Sequence, residues 1–259
     1  MQRHWALIRA RDPLQEADMP PPFSNGSPMD SSPVTIIGTP ISHYVQTVIL
    51  TCEEKRAPYI LQIEGHDTHE ALCSPAHLQW HPFGCIPAIE SGKVRLYETS
   101  AICRYIDRVY DGPSLVPDKP LDMARMEQWI SSINSYYHKP CISHLVSQYV
   151  FPKGPGGQAD KQVIGAAMPA INNAMQQLAS TYEHTSYLAG ERISLADLFI
   201  APILMQMRQT PEGRDCIGRF PVIEEKINQV FERPSFHKVL ELHSAYLPTT
   251  FRPVSGSAR

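Results

Sequence analysis

Residues 81–110 carry the pattern that most limits the fold of this chain. A Pro-Phe-Gly turn leads into Ile86-Pro87 and a short apolar run, and a Ser-Gly-Lys loop connects this run to the alternating segment Val94–Tyr97. Two short runs around a glycine-containing loop predict a β-hairpin. Apolar residues then recur at helical spacing over 101–109, which predicts a helix directly after the hairpin.

The two junctions of this unit have chemical consequences. A proline that opens a strand gives the ladder no N–H, and the Ile86-Pro87 bond is a candidate for the cis form. Glu98, Thr99 and Ser100 stand at the predicted helix start. Unpaired N–H groups and the positive end of the helix dipole favour a bound carboxylate there. Both features suit a ligand with an amino-acid head.

The chain before the hairpin predicts a strand, a helix and a second strand. The β-branched run 34–38 ends in a glycine, residues 45–55 have helical spacing, and residues 59–63 form another short apolar run. Right-handed crossover packing makes the two strands parallel. With the irregular segment, the hairpin and the helix that follow, this order predicts a thioredoxin-like domain that ends near Asp111.

The chain after residue 111 has a different pattern. A proline-rich stretch over 112–121 predicts a linker, and the following pattern is helical, with a bend or break expected at Pro140. Ser194 and Asp197 form a capping-box signature at the start of a later helix. We therefore predict an α+β N-terminal thioredoxin-like domain over 34–111 followed by an all-α C-terminal domain over 122–250, with a disordered N-terminal extension over 1–33 and a tail over 251–259.

Two stretches of the hairpin unit resemble one protein family. They are P-F-G-x-I-P-A-x-E and L-Y-E-[ST]-x-A-I-x-R-Y-I, and their order and spacing are similar to the glutathione-binding half of the cytosolic glutathione S-transferases, closest to the phi and theta types. The capping-box helix resembles the central helix of the family's all-α domain. The resemblance covers about residues 34–245. It implies glutathione as co-substrate, no metal, and a homodimer.

The resemblance also assigns roles to individual residues. Ser42, in G-x-P-x-S-x-x-V, matches the serine that donates a hydrogen bond to the glutathione sulfur, although its position equally suits a helix cap. Tyr44 is the alternative donor. Glu98 and Thr99 match the pair that holds the γ-glutamyl amine and carboxylate. Ile86, kept in place by Pro87, would pair its backbone with the cysteinyl part.

Two positions depart from the family pattern. Cys85 stands where phi-type enzymes usually have Gln or Lys, and Leu72 and Cys73 stand where they often place His and Lys for the glycyl carboxylate. His66 and His69 are near in sequence and are candidates to bind this carboxylate instead, although exposure in a loop is the simpler interpretation of each histidine.

The resemblance also implies that the first long helix of the second half faces the cleft over the glutathione sulfur. Aromatic residues on it would form a site for flat, hydrophobic electrophiles, and core packing is the alternative. The residues concerned are Trp129, Ser132, Asn134, Tyr136 and Tyr137.

Composition excludes several other classes. A formal charge of −3 gives no global attraction to nucleic acid or an anionic membrane. The six cysteines are scattered, with no C-x-x-C pair, as in free thiols of a reducing compartment. No apolar run is long enough to span a membrane. We therefore expect a cytoplasmic protein that binds neither nucleic acid nor membrane.

Three functions are consistent with this pattern. The first is a glutathione S-transferase that acts in detoxification or in secondary metabolism. The second is a non-catalytic glutathione transferase-like module for dimerisation or docking. The third is a thiol-disulfide oxidoreductase, which needs a cysteine at the position of Ser42 and is therefore disfavoured.

Overall fold

A four-stranded mixed sheet organises the first half of the molecule. In this computed structural model, which describes residues 32–66 and 68–247, the strands are β1 (Val34–Ile37), β2 (Tyr59–Gln62), β3 (Ala88–Ser91) and β4 (Val94–Tyr97). Their spatial order is β2-β1-β3-β4. β1 pairs with β2 in parallel, and β3 pairs with both β1 and β4 antiparallel. The predicted hairpin and parallel pair are confirmed.

Helices complete the first half and form nearly all of the second. The first four are α1 (His43–Glu54), α2 (His69–Leu72), α3 (Pro75–Leu78) and α4 (Thr99–Val109). The second half contains α5 (Pro120–Ser132), a π-helical segment (Ile133–Val146), α6 (Ser147–Val150), α7 (Lys161–Tyr182), α8 (Leu195–Arg208), α9 (Pro211–Gly218), α10 (Pro221–Phe231) and α11 (Pro234–Tyr246). The predicted fold class is confirmed. Within the described ranges, no helix is long and apolar enough to cross a membrane.

Helix α8 is the centre of the helical half. Every residue of α8 except Arg208 is buried, as expected of a helix that is apolar all round. Ser194 is its N-cap, and a capping box joins Ser194 to Asp197 as predicted. The Asp197 carboxylate accepts hydrogen bonds from Leu188 N (2.9 Å), Ser194 N (2.8 Å) and Ser194 Oγ (2.8 Å). Burial raises the pKa of Asp197 to about 6, against these hydrogen bonds, which lower it.

A charged cluster joins the two halves of the chain. Glu54, at the end of α1, accepts two hydrogen bonds from Arg233 (2.7 and 2.6 Å) and one from Ser235 (2.5 Å). Burial raises the pKa of Glu54, but these hydrogen bonds outweigh it and lower the pKa overall. Because α1 also carries the loop that precedes it, this cluster fixes that loop relative to the helical half.

A second buried ion pair fixes the linker. Lys55 Nζ lies 3.3 Å from Asp107 Oδ1, and both side chains are almost fully buried. The same ammonium group donates to the carbonyl oxygens of Gly112 and Pro113. Asp107 also accepts a hydrogen bond from Leu115 N. Every charge in this cluster therefore has hydrogen-bonded partners, as buried charges require.

Several local predictions were wrong. Helix α1 begins at His43 and not at residue 45, so Tyr44 is helical. The irregular segment before the hairpin contains α2 and α3, and α9 was not predicted. Of the bend or break expected at Pro140, the break does not occur, because i→i+5 hydrogen bonding carries the helix through it. The predicted N-terminal extension up to residue 31, and residues 251–259, lie outside the described residues.

Candidate active site

The loop between β1 and α1 carries Ser42. Gly38 begins this loop with φ 141°, and a Cβ there would lie 2.8 Å from Val45 Cγ2 and 2.9 Å from Ile86 Cβ. Only glycine allows both the conformation and this close approach. The absence of a side chain at Gly38 therefore lets the Ser42 loop lie directly against Ile86.

Ser42 lies at the N-terminus of α1 and lines a cavity. It is the N-cap residue, but its side chain makes no cap hydrogen bond. It lines a cavity of about 810 Å³ between the sheet half and the helical half, a size typical of small-molecule sites. The helix-cap interpretation of this hydroxyl is therefore not what the geometry favours.

Two buried glutamines hold the Ser42 loop from behind. Gln46 Nε2 donates to Pro40 O (2.7 Å). Gln206 Nε2, from α8, donates to Ile41 O (2.9 Å) and to Gln46 Oε1 (3.1 Å). Both side chains are at most 4% exposed. The carbonyl oxygens of Pro40 and Ile41, just before Ser42, are thus hydrogen-bonded to the glutamine side chains, which fixes the loop.

His243 completes this network from α11. Gln46 Nε2 lies 2.9 Å from His243 Nδ1 and therefore donates to it, and His243 Nε2 lies 3.3 Å from Gln209 Oε1. The ring is neutral with its proton on Nε2. Burial lowers the pKa of His243 to about 4, since a charged imidazole is costly in this site.

The His243 pKa predicts acid sensitivity. Because the ordinary value of about 6.5 applies when the chain is unfolded, the unfolded chain binds the extra proton first, and stability falls as pH drops from about 6.5 toward the folded pKa. We expect His243→Gln to reduce the difference in unfolding free energy between about pH 7.5 and about pH 4.5 by about 2–3 kcal/mol. Denaturant titrations at the two pH values test this, and an undiminished difference would contradict it.

The residues after Ser42 point toward the helical half. Tyr44 Oη donates to Asn134 Oδ1 (3.1 Å), and burial, with Glu98 and Cys85, raises the pKa of Tyr44 to about 12. His43 Nε2 lies 3.2 Å from His138 Nδ1. Burial and the neighbouring His138 lower the pKa of His43, and burial lowers that of His138. The Tyr44 hydroxyl is therefore protonated, and it already donates its hydrogen bond to Asn134.

The predicted amino-acid site lies on the same cavity. Ile86, Pro87, Glu98 and Thr99 all line it together with Ser42 and Tyr44. The Ile86-Pro87 bond is cis, and Glu98 has φ 71°. A non-glycine residue in that region is strained, and such strain is concentrated at functional sites. All six residues singled out by sequence are therefore brought together.

A chain of hydrogen bonds supports the loop before Ile86. His77 Nε2 donates to Cys85 O (2.8 Å), so its Nδ1 accepts from His66 Nδ1 at 2.8 Å. His66 is buried, so the prediction of an exposed histidine was wrong for it, whereas His69 is exposed. Sequence reasoning missed His77 and also His81, which lines the cavity.

The expectation for the first helix of the second half was wrong for four residues. Asn134 lines the main cavity. Trp129, Ser132, Tyr136 and Tyr137 line a separate cavity of about 640 Å³, against α7. Tyr137 is 3% exposed and its hydroxyl donates to Ala174 O, which is core packing.

Other residues of the second half, missed from sequence, line the main cavity instead. They are His138, Ile142, Val146, Ser147, Val150, Phe151, Gln206 and Tyr246. A four-residue recurrence from Asn134 through His138, Ile142 and Val146 to Val150 is visible in the sequence, but the π-helical geometry of Ile133–Val146 is not.

Two family models match this chain. The glutathione S-transferase N-terminal domain matches residues 41–109, and the glutathione S-transferase C-terminal domain matches residues 138–234. Together they span most of both halves, including Tyr44, Ile86 and Glu98.

Individual relatives agree with the models. "Glutathione S-transferase 1" of Zea mays is 26% identical over 212 residues, covering 82% of this chain and 97% of that protein. The crystal structure of poplar glutathione transferase F1 is 27% identical with a TM-score of 0.72, covering 83% of this chain and 99% of that one. A structure of glutathione S-transferase I bound with lactoylglutathione is 25% identical with a TM-score of 0.73, covering 82% and 100%. The chain belongs to the glutathione S-transferase family and is phi/theta-like.

Proposed function

We propose that this protein conjugates the thiolate of glutathione to a hydrophobic electrophile. One observation carries the proposal: the Ser42 hydroxyl, free of a helix-cap bond, shares one cavity with Ile86, Glu98 and Thr99. Glutathione is the co-substrate. The Ser42 hydroxyl can therefore donate a hydrogen bond to a sulfur atom. Ile86, Glu98 and Thr99, which line the same cavity, suit an amino-acid head.

The proposed chemistry needs little more than this arrangement. Glu98 pairs with the γ-glutamyl ammonium, and Thr99 with the first N–H groups of α4 binds its carboxylate. Ile86 pairs its backbone with the cysteinyl part, which places the sulfur beside Ser42. The Ser42 hydroxyl then donates to the thiolate and lowers the thiol pKa, which raises the fraction of nucleophile at neutral pH.

We also propose that the protein is a homodimer located in the cytoplasm. Each chain consists of two domains, 34–111 and 122–250, joined by the linker 112–121. The proposal of a homodimer follows the family resemblance. All six cysteines are free thiols, in keeping with a reducing compartment. Light scattering should give twice the chain mass of 29.1 kDa. The role is detoxification or a step in secondary metabolism.

Glutathione binding is tested with Glu98→Gln. The wild type should be retained on immobilised glutathione and should turn over a generic aromatic electrophile. Removing the charge that faces the ammonium should weaken glutathione affinity by about tenfold or more, because a hydrogen bond to a charged group contributes about 1.5–3 kcal/mol. Isothermal titration with glutathione measures the effect.

Glu90→Gln is the matched control. Glu90 lies in β3 and pairs with Arg95 on the surface, so its replacement should leave glutathione affinity within about twofold, as expected of an exposed ion pair. Equal affinity of the Glu98 variant and the wild type would exclude the proposed site. Retention of the wild type without turnover of any electrophile would favour the non-catalytic module.

A further inference from the structure

The turn before β3 leaves one backbone donor without a protein partner. The Ile86-Pro87 bond is cis, and β3 begins only at Ala88. Among the described residues, the Ile86 N–H donates to no backbone or side-chain acceptor, although Ile86 is half-buried and lines the main cavity. Such an N–H is expected to donate to a ligand or to water. The direction in which it points therefore matters for binding.

A fully buried histidine sets that direction. His77 is 0% exposed, and its Nε2 donates to Cys85 O at 2.8 Å. The Cys85 carbonyl and the Ile86 N–H belong to one planar trans peptide unit, in which they point in opposite directions. Cys85 and Ile86 line the cavity, whereas His77 lies behind them and does not. The hydrogen bond from His77 therefore holds the carbonyl toward the interior and the Ile86 N–H toward the cavity.

Two further groups keep His77 as the donor to Cys85. His66 Nδ1 lies 2.8 Å from His77 Nδ1, and Gln62 Nε2 lies 3.4 Å from His66 Nε2. Because the His77 proton is on Nε2, His77 Nδ1 accepts from His66 Nδ1. His66 Nε2 then accepts from the Gln62 amide. This row of hydrogen bonds connects the end of β2 to the turn and fixes the tautomer of His77.

We propose that His77 is a positioning residue for glutathione: through the Cys85–Ile86 peptide unit it holds the Ile86 N–H toward the carbonyl oxygen of the cysteinyl residue. This inference rests on the glutathione-conjugating function proposed above. His77 contacts neither glutathione nor the reacting sulfur. Without its hydrogen bond the peptide unit is free to rotate, and the N–H loses the alignment that a hydrogen bond to the ligand requires.

Glutathione affinity and turnover separate this role from a purely structural one. His77→Leu keeps a buried side chain but removes the donor. We expect its KM and Kd for glutathione to rise about tenfold, as when a buried hydrogen bond is lost, while kcat at saturating glutathione and KM for the electrophile stay within about twofold. His77→Gln, whose amide can donate to Cys85 O, should restore both constants to within about threefold of the wild type.

His69→Leu is the matched control. His69 is an exposed histidine of α2, on the same segment of the chain, and its ring lies 3.3 Å from Cys73 Sγ. The control variant should keep glutathione affinity within about twofold. Should His77→Leu not fold, His66→Leu removes the group that fixes the His77 tautomer, and its KM for glutathione should rise by about threefold with kcat unchanged.

A co-substrate without the cysteinyl carbonyl tests the route of the effect. γ-Glutamylcysteamine has the γ-glutamyl head and the thiol of glutathione but no carbonyl group for the Ile86 N–H. Its kcat/KM should be equal within about twofold for the wild type and His77→Leu, whereas kcat/KM for glutathione should fall about tenfold in the variant. The two substitutions, one in the protein and one in the ligand, form a double-mutant cycle.

The outcomes distinguish this inference from the proposed function. Equal losses for both co-substrates, a fall in kcat in place of the rise in KM, or no recovery in His77→Gln would overturn the inference alone. A wild type that neither binds glutathione nor conjugates it would overturn the proposed function, and this inference with it.

Discussion

Replacement of Ser42 by alanine is expected to lower kcat/KM for glutathione conjugation at about pH 7 by between about tenfold and a hundredfold. A free thiol has a pKa of about 8.5, and lowering it by about 2 units takes about 2.7 kcal/mol. A hydrogen bond to a charged acceptor contributes about 1.5–3 kcal/mol, so one hydroxyl suffices. The pH profile of kcat/KM should move to higher pH in the variant, and the difference should shrink at alkaline pH.

Tyr44→Phe is the control for Ser42→Ala. The Tyr44 hydroxyl donates its hydrogen bond to Asn134, and Tyr44 lines the same cavity as Ser42. The loss of this hydroxyl should therefore change kcat/KM less than about threefold, with no shift of the pH profile. A larger loss in Tyr44→Phe than in Ser42→Ala would transfer the activating role to Tyr44.

Asp197→Ala is expected to lower the free energy of unfolding by about 3–5 kcal/mol. The substitution leaves three donors buried without a partner: Leu188 N, Ser194 N and Ser194 Oγ. Each unsatisfied buried polar group costs about 1–3 kcal/mol. The gain from removing a carboxylate whose pKa burial has raised to about 6 offsets part of this loss.

Two variants calibrate this result in the same urea titration. Asp197→Asn keeps the shape and one acceptor oxygen, so its loss should be smaller than that of the alanine variant. Asp160 caps α7 by accepting from Gln162 N and Val163 N at a half-buried site, and Asp160→Ala should cost only about 1 kcal/mol. Equal losses for Asp160→Ala and Asp197→Ala would contradict the role given to burial.

Features fixed by neighbouring residues were predictable from the sequence. The hairpin, the helix that starts at Thr99, the parallel pair of strands and the Ser194–Asp197 capping box all depend on residues a few positions apart or on one crossover rule. The cis form of the Ile86-Pro87 bond likewise depends on neighbouring residues and was predictable as a candidate. The membership of Ser42, Ile86 and Glu98 in one cavity came from the family resemblance.

The surroundings of Ser42 were not predictable in this way. Gln206 lies 165 positions from Ile41, whose carbonyl it bonds, and His138 lies 95 positions from His43. A glutamine in an otherwise apolar helix has no local signal for its partner. The π-helical segment was likewise not predicted, and Trp129 and Tyr136 line the second cavity instead of the cleft.

The sequence by itself determined the two-part fold, the order of the strands and of the helices that flank them, and the capping box of α8, because turn chemistry, capping and strand periodicity act over short distances along the chain. Only the tertiary structure decided which helical face closes the cavity, what holds the Ser42 loop, and that Tyr44 is committed to Asn134. These depend on side chains from distant segments that must satisfy one another's hydrogen bonds once both halves are packed together.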